Sequence, residues 1–140
     1  MGSCRAIVIA VATLLLAACD SPRKSLDEHD LAVAAGQLQS IAAQAQWLTQ
    51  QVSVHSVTVA MAFVQQEALA DDAVRVAGDL ARPAPRELIG ERARLAQASM
   101  QLQQGLPQIA QAASDPAALD ALQGRFSAAA AATGRPGSRS

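Results

Sequence analysis

Leu31, Ala34, Leu38, Ile41, Ala45, Leu48 and Val52 recur at alternating spacings of three and four residues. Such a period lines one face of an α-helix and cannot line one face of a strand. Gln, Ser and Thr fill much of the opposite side. The spacing has a heptad character, and the small residues Ala34, Ala42 and Ala45 permit close approach of a second helix. A helix with one apolar stripe has to bury it against another element, so the chain is expected to fold by packing helix on helix.

The start of this helix is marked by Ser25-Leu26-Asp27-Glu28, the pattern of a capping box, with Ser25 as the cap and Glu28 reaching back. Asp27, Glu28 and Asp30 add negative charge to the first turn, where the helix dipole favours it. The stretch VSVHSVTVAMAFV at residues 52–64 is rich in β-branched residues. Its alternation slips between Val54 and Val57, whereas Val54, Val57, Met61, Val64 and Ala68 form a three-four stripe, with Val52, Val59 and Phe63 on a second face. This reads as helix buried on more than one side. Either the chain turns near Ser53 to Ser56 and forms a hairpin, or one helix runs on to about Leu80. With no Gly or Pro in the stretch, the continuous helix is the expectation.

Arg82-Pro83-Ala84-Pro85 ends that pattern, because proline lacks an amide donor and disfavours helix in the residue before it. Helix resumes over 86–104, with Leu88, Leu95, Leu102 and Ile109 spaced by sevens. Gly105-Leu106-Pro107 should interrupt it. Ser114-Asp115-Pro116 is a start signal, a capping residue followed by proline at the first helical position, and Leu119, Leu122 and Phe126 give the last helix its apolar face. Residues 134–140 read as a frayed tail. The expected fold class is all-α: an antiparallel helical bundle, or a long helical hairpin with a short closing helix.

The first residues carry an address. Arg5 and the amino terminus precede the uncharged run AIVIAVATLLL at 6–16, followed by small residues, the layout of a secretory signal peptide. The run is about half the ~20 residues that a permanent membrane-spanning helix needs. Leu16-Ala17-Ala18-Cys19 resembles the lipobox of bacterial lipoproteins. The resemblance implies cleavage before Cys19, diacylglyceryl attachment to its thiol, and acyl chains that anchor the protein to a membrane on its periplasmic face. Asp20 resembles the signal that retains enterobacterial lipoproteins in the inner membrane; the outer membrane is the other possibility. The organisation expected is a removed signal peptide at 1–18, a lipidated tether at 19–24, a helical domain at 25–133 and a tail at 134–140. Loss of Cys4 with the signal and occupation of Cys19 by lipid would leave no thiol for a disulfide or a thiolate metal site.

Charge and aromatic content exclude some functions. The full chain carries a net charge of −1, and removal of Arg5 with the signal brings this to about −2, unlike a binder of nucleic acid or anionic lipid. Trp47, Phe63 and Phe126 are the only aromatics, too few for stacking platforms. Neither His29 nor His55 has a second histidine one turn on, Glu-x-x-His and Cys-x-x-Cys-His are missing, and no Gly-x-Ser-x-Gly elbow or phosphate loop occurs. Glu87 and Glu91, one turn apart near Arg86, Arg92 and Arg94, read as a solvated, ion-paired helix face. No enzyme and no cofactor are expected. The wall-linked major lipoprotein offers a partial likeness, but that family ends in lysine and this chain ends Arg139-Ser140.

The function expected is a membrane-anchored periplasmic lipoprotein working as a helical interaction or structural module, toward a partner protein or a second copy. Leu88, Leu95 and Leu102 are its partner-facing candidates. One alternative is a ligand- or metal-binding bundle centred on His55, Met61 and Met100, as helical cytochromes pair His with Met. Another is an envelope inhibitor or immunity protein.

Overall fold

Leu26 is drawn into the core, 2 % exposed, and its N–H donates to the Pro83 carbonyl at 2.8 Å. That contact keeps the chain extended past Ser25, so the first helix, α1 (Glu28–Ser53), begins later than the Ser25–Glu28 capping box would have it. Asp27 is the cap instead. Its carboxylate accepts from the Asp30 N–H at 2.8 Å, and the Asp30 carboxylate accepts from the Asp27 N–H at 3.3 Å, an all-aspartate version of the same reciprocal box. The computed structural model describes residues 24–134. The expected signal peptide, Cys19, Asp20, the tether before Lys24 and the tail beyond Gly134 lie outside them.

All seven seam residues of α1, from Leu31 to Val52, are buried. The helix does not run on to Leu80, and the expectation of one continuous helix is overturned. It stops at Ser53, and α2 (Val59–Leu80) runs back as the second arm of a hairpin. The stop is a Schellman motif: His55 N–H donates to the Val52 carbonyl at 3.1 Å and Ser56 N–H to the Gln51 carbonyl at 3.0 Å. The motif needs a left-handed residue at its centre, and His55 supplies it with φ of 56°. Thr58 then caps α2, its hydroxyl accepting from the Met61 N–H at 3.2 Å.

The expected burial of α2 on more than one side is also corrected. Its inward face is Ala62, Gln66, Leu69, Ala73, Val76 and Leu80, whereas Met61, Phe63, Val64 and Ala68 face outward. The inward stripe already fills the space between neighbouring helices, which leaves the second apolar stripe of the same helix with nothing to pack on.

After Pro83 and Pro85 a 3₁₀ turn (Arg86–Leu88) leads into α3 (Ile89–Gly105). A second 3₁₀ turn (Leu106–Gln108) holds Pro107, and α4 (Pro116–Thr133) starts with Asp115 accepting from the Ala118 N–H and Pro116 in the first turn. The result is an antiparallel four-helix bundle in which α1 packs on α2 and α4, and α3 on the same two helices. Arg94 donates to the Gly134 carbonyl, which sets the end of α4 beside the start of α3. The first and last described residues therefore lie at one end of the bundle, together with the α2–α3 loop. The α1–α2 hairpin lies at the other, about 39 Å away for the 26 residues of α1 at 1.5 Å each.

Leucines from every layer fill the core, and Phe126 is its only aromatic, fully buried. Gly105 makes room for it: a Cβ at that position would stand 2.7 Å from the Phe126 ring. Two buried polar side chains tie helices together. Ser99 donates from α3 to the Ala73 carbonyl of α2 at 3.0 Å. Gln66 of α2 accepts from the Ala110 N–H at 2.9 Å and donates to the Pro107 carbonyl at 3.4 Å, which pins the segment between α3 and α4. Among the described residues, no helix is long and apolar enough to cross a membrane.

Candidate functional site

Charge is distributed unevenly along the bundle. Residues 31–66 and 95–114 contain no Asp, Glu, Lys or Arg. These stretches include the far two-thirds of α1, the first turns of α2, and the last turns of α3 with the segment that follows. The opposite end holds Lys24, Asp27, Glu28, Asp30, Asp79, Arg82, Arg86, Glu87, Glu91, Arg92 and Arg94. There Arg82 pairs with Asp30 at 3.3 Å with both side chains about three-quarters buried, and Arg92 donates to the Arg82 carbonyl at 3.1 Å. That end is locked by charge, while the hairpin end is uncharged apart from Asp115 and Asp120 at the start of α4.

The proposed partner-facing set does not face a partner. Leu95 and Leu102 are fully buried and Leu88 is 9 % exposed, because the sevenfold spacing of α3 points into the bundle against α2 and α4. That assignment is corrected: these leucines are core. His55, Met61 and Met100 do not gather either. His55 is an exposed turn residue, and Met61 and Met100 are each about half exposed. The Ser99–Ala73 bond sets Met100 level with the middle of α2, and Met61 is twelve residues from Ala73 along that helix, about 18 Å at 1.5 Å per residue. The sulfur atoms cannot share a ligand with His55. Among the described residues no three His, Cys, Asp or Glu side chains come together to hold a metal ion.

What the fold does assemble is an outward apolar face on the hairpin. Met61, Val64 and Ala68 share one side of α2, and Trp47 of α1 leans over the same groove. Trp47 is 52 % exposed, Met61 52 % and Val64 63 %, although each is a residue type that folding normally removes from water. Beside them a cleft of about 300 Å³ runs between the two helices, lined by Gln44, Trp47, Gln65, Ala68, Leu69 and Asp72. Asp72 is held by Arg75 at 2.8 Å, so the only charge at the cleft is paired. Around the other side of α2, Phe63 overhangs a second cleft of about 440 Å³ with Gln66, Glu67, Ala70, Asp71, Pro107 and Gln111, and Glu67 and Asp71 are exposed carboxylates.

The exposed large apolar side chains Trp47, Met61 and Val64 thus gather on one side of the hairpin. Reasoning from the sequence missed this face because it assigned the Met61–Val64–Ala68 stripe to the core. The signal that would have found it is the presence of two apolar stripes on one helix, of which a four-helix bundle can bury one. Comparison with protein-family models, with curated proteins and with solved structures finds no match to this chain.

Proposed function

We propose that this protein is a lipoprotein of the bacterial cell envelope, anchored through Cys19, whose helical bundle serves as a protein-interaction module rather than as a catalyst. The observation that carries the interaction reading is the apolar cluster on the outer face of the α1–α2 hairpin, with Trp47, Met61 and Val64 half exposed or more. Exposed Trp and Met are the side chains that protein interfaces favour at their centres. The anchored reading is supported by Leu16-Ala17-Ala18-Cys19 after an apolar run. In such an arrangement the chain would enter the bundle at its charged end, and the apolar face would stand out toward the hairpin end, up to about 39 Å from the start of α1.

Two measurements test the two halves of this reading. Intact-mass spectrometry of the protein from a membrane fraction should give a chain beginning at Cys19 with added acyl mass, and a Cys19→Ala variant should lose it. A full-length unmodified chain would remove the anchor. Photo-crosslinking in intact cells, with benzoylphenylalanine in place of Val64, should give a covalent product that the same probe at Ala128, on the exposed side of α4, does not. No product at Val64 would remove the interaction reading.

A further inference from the structure

The cleft under Phe63 is braced across its width and carries charge of one sign. Gln66 lies in it and ties its two walls together: the side-chain amide accepts from the Ala110 N–H at 2.9 Å and donates to the Pro107 carbonyl at 3.4 Å. With both ends of that amide engaged, α2 and the segment after α3 are held at a fixed separation. The cleft between them, about 440 Å³, has the size of a small-molecule site. Phe63, Ala70 and Pro107 make its apolar surface, with the Phe63 ring half exposed.

Phe63, Glu67 and Asp71 follow one another at four-residue steps along α2, which stacks the ring and the two carboxylates on one side of the helix. Neither carboxylate pairs with a cation among the described residues. Arg75, one turn past Asp71, is taken by Asp72 at 2.8 Å, and the facing wall belongs to residues 95–114, which contain no Asp, Glu, Lys or Arg. Like charges one turn apart oppose helix formation, so the bundle alone carries a repulsion here that a cation from outside would relieve. The apolar surface narrows the choice of cation. A divalent metal ion keeps a full shell of oxygen ligands, which two carboxylates beside a ring and a proline do not supply. An anion is repelled, and a neutral apolar molecule would strip water from the carboxylates without replacing it. An organic cation meets every part of the lining: its body lies on Phe63, Ala70 and Pro107, where ring and charge attract each other, and its N–H groups donate to Glu67 and Asp71.

We infer that this cleft is a binding site for a small organic cation of the amidinium, guanidinium or primary ammonium class, with Glu67 and Asp71 as its anionic partners and Phe63 as its stacking surface. The site goes beyond the interaction reading and does not rest on it. It opens between α2 and the segment after α3, whereas Val64 shares the side of α2 over which Trp47 of α1 leans.

The test is a ligand-observed NMR titration of the full chain in detergent micelles, corrected for micelles alone, with benzamidine, benzamide and benzoate. The three probes share a ring and a size and are cationic, neutral and anionic in turn. Benzamidine should bind saturably, benzamide about tenfold or more weakly, and benzoate not at all. Glu67→Gln with Asp71→Asn should bring benzamidine level with benzamide, and Phe63→Ala should weaken both. Gln111→Trp, which fills the cleft and leaves both carboxylates in place, should abolish binding. All four positions are exposed, so the substitutions leave the core untouched. Equal binding of the three probes, or no saturable binding of benzamidine, would overturn the site. Benzamidine binding that survives Gln111→Trp would reduce it to charge attraction at the surface and overturn the cleft. Binding of acetyl-Gly-Arg-Gly-amide in place of benzamidine would overturn the small molecule in favour of an arginine side chain on a protein. Each of these failures leaves the Val64 cross-link, and the reading it tests, standing.

Discussion

His55 and Gly105 occupy each other's natural places. The chain reverses at His55 in the left-handed region, φ 56°, where a residue without a Cβ is most at ease, while glycine sits at the end of α3 because Phe126 allows nothing larger. His55→Gly should therefore raise stability by about 1 kcal/mol, seen as a higher urea midpoint with an unchanged slope. Gly105→Ala should do the reverse, costing about 1–3 kcal/mol as the Phe126 ring is pushed aside. Gly36→Ala, at an exposed position of α1 with open space around it, should gain up to about 1 kcal/mol and serves as the control for helix propensity. Gln66→Ala should cost about 1–3 kcal/mol, because it leaves the buried Ala110 N–H without an acceptor. None of these pairings was legible beforehand. A search for glycine or proline passes over a turn centred on histidine, and a glutamine inside a helix carries no sign that it is buried.

At the scale of the helices, what could be read depended on how many apolar stripes each one carries. The single stripe of α1 was read residue for residue, and so were the proline breaks and the Asp115–Pro116 start of α4. The two stripes of α2 were not distinguishable, since the one that is buried uses Ala62, Gln66 and Ala73, small or polar residues that weigh less than Met61 and Val64 in any count of hydrophobicity. The leucines of α3 were recognised as a stripe and given the wrong neighbour, because periodicity says that a face is covered and not by what. The start of α1 moved for a tertiary reason, the Leu26–Pro83 contact, and the new cap has a measurable consequence. The Asp30 N–H donating to its carboxylate holds the Asp27 pKa below its ordinary value, with Lys24 adding a smaller effect in the same direction. A carboxyl group depressed in the folded state stabilises the fold above its unfolded pKa, about 4, and loses that contribution as pH falls through the lower folded value. The thermal midpoint should thus drop below pH 4. Asp27→Asn, which keeps a capping acceptor and removes the charge, should lower the midpoint slightly at pH 7, show a shallower drop with pH, and converge with the parent at low pH.

For the molecule as a whole, the segregation of charge predicts how association responds to salt. A contact made through the apolar side chains of Trp47, Met61 and Val64 draws on burial that salt does not screen, so the yield of the Val64 cross-link in membranes should be the same at 50 and 500 mM salt, within about twofold. A yield that falls steeply with salt would locate the contact at the charged end instead. The common position of the two ends of the described bundle matters in another way. Because α1 and α4 lie antiparallel, with Leu26 held at Pro83 and Gly134 at Arg94, tension applied between the two ends would act at the edge of the α1–α4 contact. It would open that contact one helical turn at a time and would not shear the whole of it at once. Such a bundle yields to pulling at low force however stable it is to heat, so a load carried between a membrane at one terminus and an attachment at the other would peel it open.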